Sequence, residues 1–369
     1  MRIVHLGKYY SPHRGGIERV VQTLCEGLVR RGHEVTVVVS STTDENAEEQ
    51  IAGVRVIRVA RKVVIRSQPI NPGLARILGG LAFDVLHVHT PNPLGGLAAL
   101  KALCGRPLIV SHHSDVVQQQ LLLGLAGGLA HDELYARATA LVAATPLHVR
   151  YSRLLRRHEQ RCHVIPYSAP QHPPVAGPPR SLPALWSGLP FALFVGRLVY
   201  YKGVDVLLDA LARCPDLRLA IVGVGPLERG LRERASSNGV GERVAFLGDV
   251  GDDELQALYA ACRFLVLPSV EPSEAFGMVQ LEAMAAGRPV ISTNLRSGVP
   301  YVNQHRRTGL IAPVGDAAAL ARAMQHLLVD TEHCERLGQR ARWRAENDFN
   351  EERLLDRWLR LYAESGSYP

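Results

Sequence analysis

Nowhere does the sequence hold the roughly 18 uninterrupted apolar residues that a membrane-spanning helix needs, and the expectation is a soluble chain. Its six cysteines, Cys25, Cys104, Cys162, Cys214, Cys262 and Cys334, lie far apart with no C-x-x-C pair. That spacing predicts neither a zinc site nor a disulfide framework, and it fits a reducing cytoplasm. Aromatic residues make up only 6% and do not alternate with the basic ones. Single-strand nucleic-acid binders need such stacking platforms, so no nucleic-acid partner is expected. The start, Met1 to Leu6, runs straight into a strand pattern without a basic leader or a small-residue cleavage site, so export is not expected either.

What the chain does hold is the material for two cores. Hydrophobic residues reach 47% against 21% charged, and 369 residues suit two α/β domains of roughly 170 residues better than one core. Short apolar runs alternate with helical patterns, with strands expected near 2–7, 35–39, 54–59, 84–89, 107–112, 140–144 and 162–166. The proline-rich stretch 169–190 reads as a linker, after which the pattern restarts near 191–196, 217–223, 243–247, 264–267 and 289–293. The expected fold class is α/β, two doubly wound Rossmann-like domains, 1–172 and 173–349, facing across a cleft. An amphipathic stretch over 350–369 is expected to pack back on the first domain. The net charge of +7 resides in the first half, where residues 1–175 hold 20 Lys and Arg against 12 Asp and Glu. An excess so placed points to an anionic membrane surface or a phosphorylated acceptor.

Four groups of residues carry candidate chemistry. Gly15 and Gly16 sit where the first strand hands over to a helix, a corner at which backbone amides and the helix dipole can meet an anion; the alternative is a plain tight turn. Arg197 and Lys202 follow a strand of the second domain, where a forked guanidinium and a compact ammonium suit a leaving diphosphate; the alternative is a solvated basic turn. Glu274 and Glu282, eight positions apart, bracket a helix expected to begin near Phe276 to Met278. Carboxylates so placed can reach different hydroxyls of one ligand, and the first amides of Phe276, Gly277, Met278 and Val279 can meet a phosphate or a sugar oxygen. His87 and His89 fall on one face of a strand, and His112 and His113 end the next. A metal reading of the first pair is weaker than ordinary hydrogen bonding because no carboxylate completes a ligand set, whereas His113 faces the expected cleft.

Together these motifs resemble the retaining GT-B glycosyltransferases of family 4, which build bacterial envelope glycans. The match covers nearly the whole chain: Gly-Gly-Ile-Glu at 15–18, Ser-His-His-Ser-Asp at 111–115, Gly-Arg-Leu with Lys-Gly over 196–203, and the E-x7-E of Glu274 and Glu282. The resemblance implies that Arg197 and Lys202 neutralise the donor diphosphate, with Gly16 approaching it, and that Glu282 holds the ribose. Glu274, with the amides of Phe276 to Val279, would hold the transferred sugar, and His113 would touch it. The implied reaction retains configuration without a covalent nucleophile, the departing phosphate helping to deprotonate the acceptor. No D-x-D motif ends a strand, since Asp252-Asp253-Glu254 reads as a helix start, so no metal and no cofactor are expected beyond a nucleotide-diphosphate sugar as substrate.

Two departures from the family pattern stand out. Tyr167-Ser168-Ala169-Pro170 replaces a glycine-containing turn, which puts the hinge contact in doubt. Ser297 to Gln304 replaces a Gly-Gly-x-Pro-Glu run and looks like the variant of mannosyltransferase-like members, which favours GDP-mannose over a UDP-sugar. The acceptor is expected to be a glycan or a lipid-linked glycan. Two alternatives share the architecture: a nucleotide-sugar epimerase and a catalytically silent partner protein. The stretch 116–125, beside Arg150, Arg153, Arg156 and Arg157, suits peripheral contact with the inner face of an anionic membrane as well as it suits an amphipathic helix on the sheet.

Overall fold

The computed structural model describes residues 1–13, 15–65, 68–103, 105–115, 124–170 and 177–366. The membrane candidate therefore lies almost wholly outside the described residues, as does part of the proline-rich linker. The chain divides into two compact units, Met1–Tyr167 with the chain from Glu351 onward, and Ser168–Asn350.

In the first unit the strands are β1 (Arg2–Leu6), β2 (Glu34–Ser40), β3 (Ala47–Ile51), β4 (Val54–Val59), β5 (Val63–Ile65), β6 (Gln68–Ile70), β7 (Val85–Thr90), β8 (Leu108–His112), β9 (Ala140–Ala143) and β10 (Cys162–Val164). Eight of them form one sheet in the order β10-β9-β8-β7-β1-β2-β4-β3, parallel except for β3, while β5 and β6 pair separately. Strands buried on both faces are rich in apolar residues, and the central ones here are so except for the polar residues that β1, β7 and β8 carry. Val4, Leu6, Leu86, Val88, Leu108 and Val110 fill one core, and Ile3, Val35, Val37, Val85 and Ile109 fill the other. The helix Glu351–Gly366 closes the second core. Its buried residues Leu354, Leu355, Trp358, Leu361 and Tyr362 recur at helical spacing, and it lies so close to the helix Gly16–Arg30 that a Cβ on Gly27 would stand 2.7 Å from the Leu355 methyls.

The second unit contains β11 (Phe191–Val195), β12 (Arg218–Val222), β13 (Val244–Gly248), β14 (Phe264–Leu267), β15 (Val290–Thr293) and β16 (Gly309–Ala312), all parallel, in the order β13-β12-β11-β14-β15-β16. Strand order reverses between β11 and β14, the switch point at which doubly wound sheets generally take their ligands. The first sheet reverses in the same way between β1 and β7.

Candidate active site

The loop after β11 carries Arg197 and Lys202, and the loop after β14 carries Glu274. Both are held by glycines that no other residue could replace in place. Gly203 has φ +65° and abuts the Pro268 carbonyl, and Gly223, after β12, has φ +123° and abuts the Gly196 carbonyl. A hydrogen bond of 2.8 Å from Val270 N to Tyr201 O ties the two loops directly.

Within this frame Lys202 Nζ lies 2.6 Å from Glu274 Oε2, with both side chains about nine-tenths buried. Ser269 Oγ donates to the same oxygen at 3.0 Å, while Thr293 Oγ1 donates to the Ser269 carbonyl at 2.6 Å. Glu274 Oε1 has no partner among the described residues. Lys202 is thus not the solvated turn residue that its loop position allowed. Arg197, by contrast, is exposed, and no carboxylate pairs with it among the described residues. The ensemble of two cations and one carboxylate keeps a single net positive charge.

The helix Met278–Ala285 begins beside this pair. Its N-cap is Gly277 at φ +76°, and no side chain caps it, which leaves its first amides and the positive end of its dipole for a ligand. Gly277 seats against the Leu267 side chain, and the Ala275 carbonyl accepts from Gly298 N at 2.7 Å, so the Ser297–Gln304 run packs on this loop. Phe276 is buried edge-on to Phe349 with centroids 6.3 Å apart. Glu282 is 8% exposed, and its Oε2 accepts from the Tyr259 hydroxyl at 2.6 Å. The structure therefore brings Lys202, Glu274 and the Gly277 turn together and places Glu282 one helical stretch away, against Tyr259.

In the first unit Gly15 is the N-cap of the helix Gly16–Arg30, in extended backbone, and both glycines are exposed. The Glu18 carboxylate folds back into the space that a Cβ on Gly15 would take, so the helix start holds an internal anion. His113, just past β8, is 4% exposed. Its Nε2 lies 2.9 Å from His89 Nδ1 and its Nδ1 lies 2.6 Å from the Tyr167 hydroxyl, so both ring nitrogens are engaged.

His113 belongs to a row of buried polar groups on one sheet face. β1, β7 and β8 pair with His5 opposite His87 and His89 opposite Ser111, and Trp358 and Tyr362 cover the row. His5 Nδ1 lies 3.0 Å from His89 Nε2, while His87 lies 2.8 Å from both the Tyr362 hydroxyl and Ser111 Oγ. Burial pushes His5 and, across the sheet, His112 down to about 3, and burial with neighbouring imidazoles holds His87 and His113 well below the usual range; His89 is likewise depressed. Three-residue ligand-type groups occur twice among the described residues: His5, His87 and His89 here, and His326, Asp330 and His333 at the junction of two helices in the second unit. In the first group all nitrogens except His5 Nε2 are committed to hydrogen bonds.

Reading the sequence missed His5, Tyr167, Tyr259 and Ser269. His5 could have been found, since it interrupts an otherwise apolar strand on the face that His87 and His89 share. The tyrosines reach their partners from distant positions and left no local signal, whereas Ser269 stands five positions before Glu274 and only the turn between them brings the two together.

Two doubly wound units, each with candidate residues just past the carboxyl ends of its strands, are the architecture of the GT-B class. HepE of Anabaena, solved with UDP-glucose, matches this fold with a TM-score of 0.77 at 19% identity, covering 99% of this chain and 100% of that one. The chain belongs to the group 1 glycosyltransferases: the model "Glycosyl transferases group 1" matches residues 184–344 and "Glycosyl transferase 4-like domain" matches residues 15–168. The O-antigen chain mannosyltransferase C of Escherichia coli is 33% identical over 98% of each chain. The D-rhamnosyltransferase WbpZ of Pseudomonas aeruginosa is 34% identical over 92% of this chain and 90% of that one. The family inferred from the motifs is the family found.

Proposed function

We propose that this chain is a retaining, metal-independent hexosyltransferase that moves mannose from GDP-mannose to a glycan or lipid-linked acceptor in envelope polysaccharide synthesis. One observation carries the donor assignment: the Lys202–Glu274 pair, the exposed Arg197 and the uncapped Gly277 helix start gather at the switch point of the second sheet. A pyrophosphate there would take a forked contact from Arg197, a point charge from Lys202 and helix amides from Met278 and Val279. These groups are fixed before reaction, so they would stabilise the charge that grows on the departing diphosphate without reorganising.

Glu274 would serve twice, holding the Lys202 ammonium through Oε2 and offering Oε1 to a hydroxyl of the transferred sugar. Glu282 is assigned to the ribose, beside Tyr259. In the first unit, Gly15 and Gly16 are assigned to the donor diphosphate and His113 to the transferred sugar. For an anion to use the Gly15–Gly16 corner, Glu18 must swing away. Retention follows if the departing phosphate oxygen takes the acceptor proton on the face it leaves, so that orientation and charge supply the rate.

The preference for mannose draws support from the Ser297–Gln304 run and from the E. coli relative's activity, and the envelope setting draws support from the O-antigen chain that the same relative's name carries. A thermal-shift series with GDP, UDP, ADP and their sugars tests the donor, because a ligand bound only by the folded state raises the melting temperature with occupancy. GDP and GDP-mannose should give the largest shifts, and a larger shift with UDP-sugars would overturn the mannose assignment. Incubation with donor alone should leave it unconverted; epimerised sugar would overturn transfer.

A further inference from the structure

His5, His89, His113 and Tyr167 form one unbranched hydrogen-bonded chain, with successive heavy-atom distances of 3.0, 2.9 and 2.6 Å. The three rings are at most 4% exposed, and the far end of the chain is a bare atom, His5 Nε2, buried without a partner among the described residues. His87 is spent on Tyr362 and Ser111 and adds no branch. Burial keeps all three rings neutral.

A neutral imidazole donates through one nitrogen and accepts through the other, so the proton position on one ring dictates it on the next. Only two arrangements satisfy every link. If the protons point toward His5, the orphan atom is a buried N–H; if they point toward Tyr167, it is a buried lone pair. Among protein interior groups a bare N–H is the rarer orphan, which favours the second arrangement.

We propose that His5 and His89 are positioning residues that lock His113 in its Nδ1–H tautomer, so that His113 presents a hydrogen-bond donor at the carboxyl end of β8. The Tyr167 oxygen is its resident acceptor, and a sugar hydroxyl oxygen is the substrate group that could take its place. The consequence for turnover rests on the assignment of His113 to the transferred group; the tautomer lock does not.

The test uses the full chain labelled with 15N-histidine and long-range 1H–15N spectra, which report the protonated nitrogen of each ring. The expected result is a single His113 tautomer, protonated at Nδ1. His5→Asp, whose ionised carboxylate at the Nδ1 position can only accept, should reverse the chain and move the His113 proton to Nε2; His5→Asn, whose amide can donate from there, should keep it at Nδ1. His5→Asp should lower kcat about tenfold and His5→Asn should not, with the donor KM changed far less in both. His113 protonated at Nε2 or in mixed tautomers in the unaltered protein, or a His113 indifferent to His5→Asp in a folded chain, would overturn the lock. Spectra as expected with kcat unmoved would uphold the lock and instead sink the role of His113 in transfer.

Discussion

Glu274→Gln would leave the Lys202 ammonium facing a neutral amide where a carboxylate oxygen now stands at 2.6 Å, and Glu274→Ala would leave it with no counter-charge at all. Stranding a nearly buried charge costs roughly 3 kcal/mol, so urea unfolding of Glu274→Ala should show a loss of that order. Replacing both partners, Lys202→Met with Glu274→Leu, should return most of the stability and none of the transferase activity. Activity retained in that double variant would remove the pair from the mechanism. The spacing of Glu274, Glu282, Arg197 and Lys202 was legible in the sequence; the ion pair was not. It forms across two loops 72 positions apart, and nothing local to either residue encodes the meeting.

The buried imidazoles set an acid limit. Five rings, His5, His87, His89, His112 and His113, are held neutral by burial, with folded values at about 3 or depressed well below 6.5. The unfolded chain binds protons at these rings once the pH drops below about 6.5, and the folded chain does not. Stability is therefore full above that value and falls as pH decreases, by up to about 1.4 kcal/mol per ring per pH unit. Melting temperature measured against pH should hold from 8 to 7 and drop steeply from about 6 to 5. A flat profile through that window would show that the rings can charge in place.

At the scale of elements, the site is shaped by turns more than by helices. Ala substituted at Gly203 or Gly223 meets both a positive φ and a backbone oxygen, which cannot move aside as a flexible side chain could. Each should destabilise by roughly 2 kcal/mol or more by chemical denaturation, and should weaken nucleotide binding with it. Trp358→Ala, in the helix that covers the histidine row, should cost about 3 to 5 kcal/mol through the cavity it leaves.

The central strands were readable because parallel strands buried on both faces are continuous apolar runs. The exceptions are instructive. β3, Ala-Glu-Glu-Gln-Ile, is an antiparallel edge with every residue but Ile51 exposed, so it carries no apolar pattern. β16, Gly-Leu-Ile-Ala, holds only two large apolar residues and β6, Gln-Pro-Ile, only one beside its proline, so neither stands out as an apolar run.

At the scale of the whole molecule, the uneven charge remains a surface property of the first unit. Arg150, Arg153, Arg156 and Arg157 are exposed there, with Arg157 3.5 Å from Asp132. We expect binding to anionic vesicles at low salt that disappears as ionic strength rises, because exposed charges are screened within a Debye length of about 10 Å at 0.1 M. Co-sedimentation that is equal on neutral and anionic vesicles would contradict it.

The account depends on a diphosphate held at the switch point of the second sheet. Calorimetric titration of GDP into the unaltered chain and into the Arg197→Ala, Lys202→Ala double variant, with folding checked by circular dichroism, tests that most directly. The prediction is a loss of affinity of at least 100-fold, about 3 kcal/mol. Unchanged affinity in a folded double variant would contradict the account.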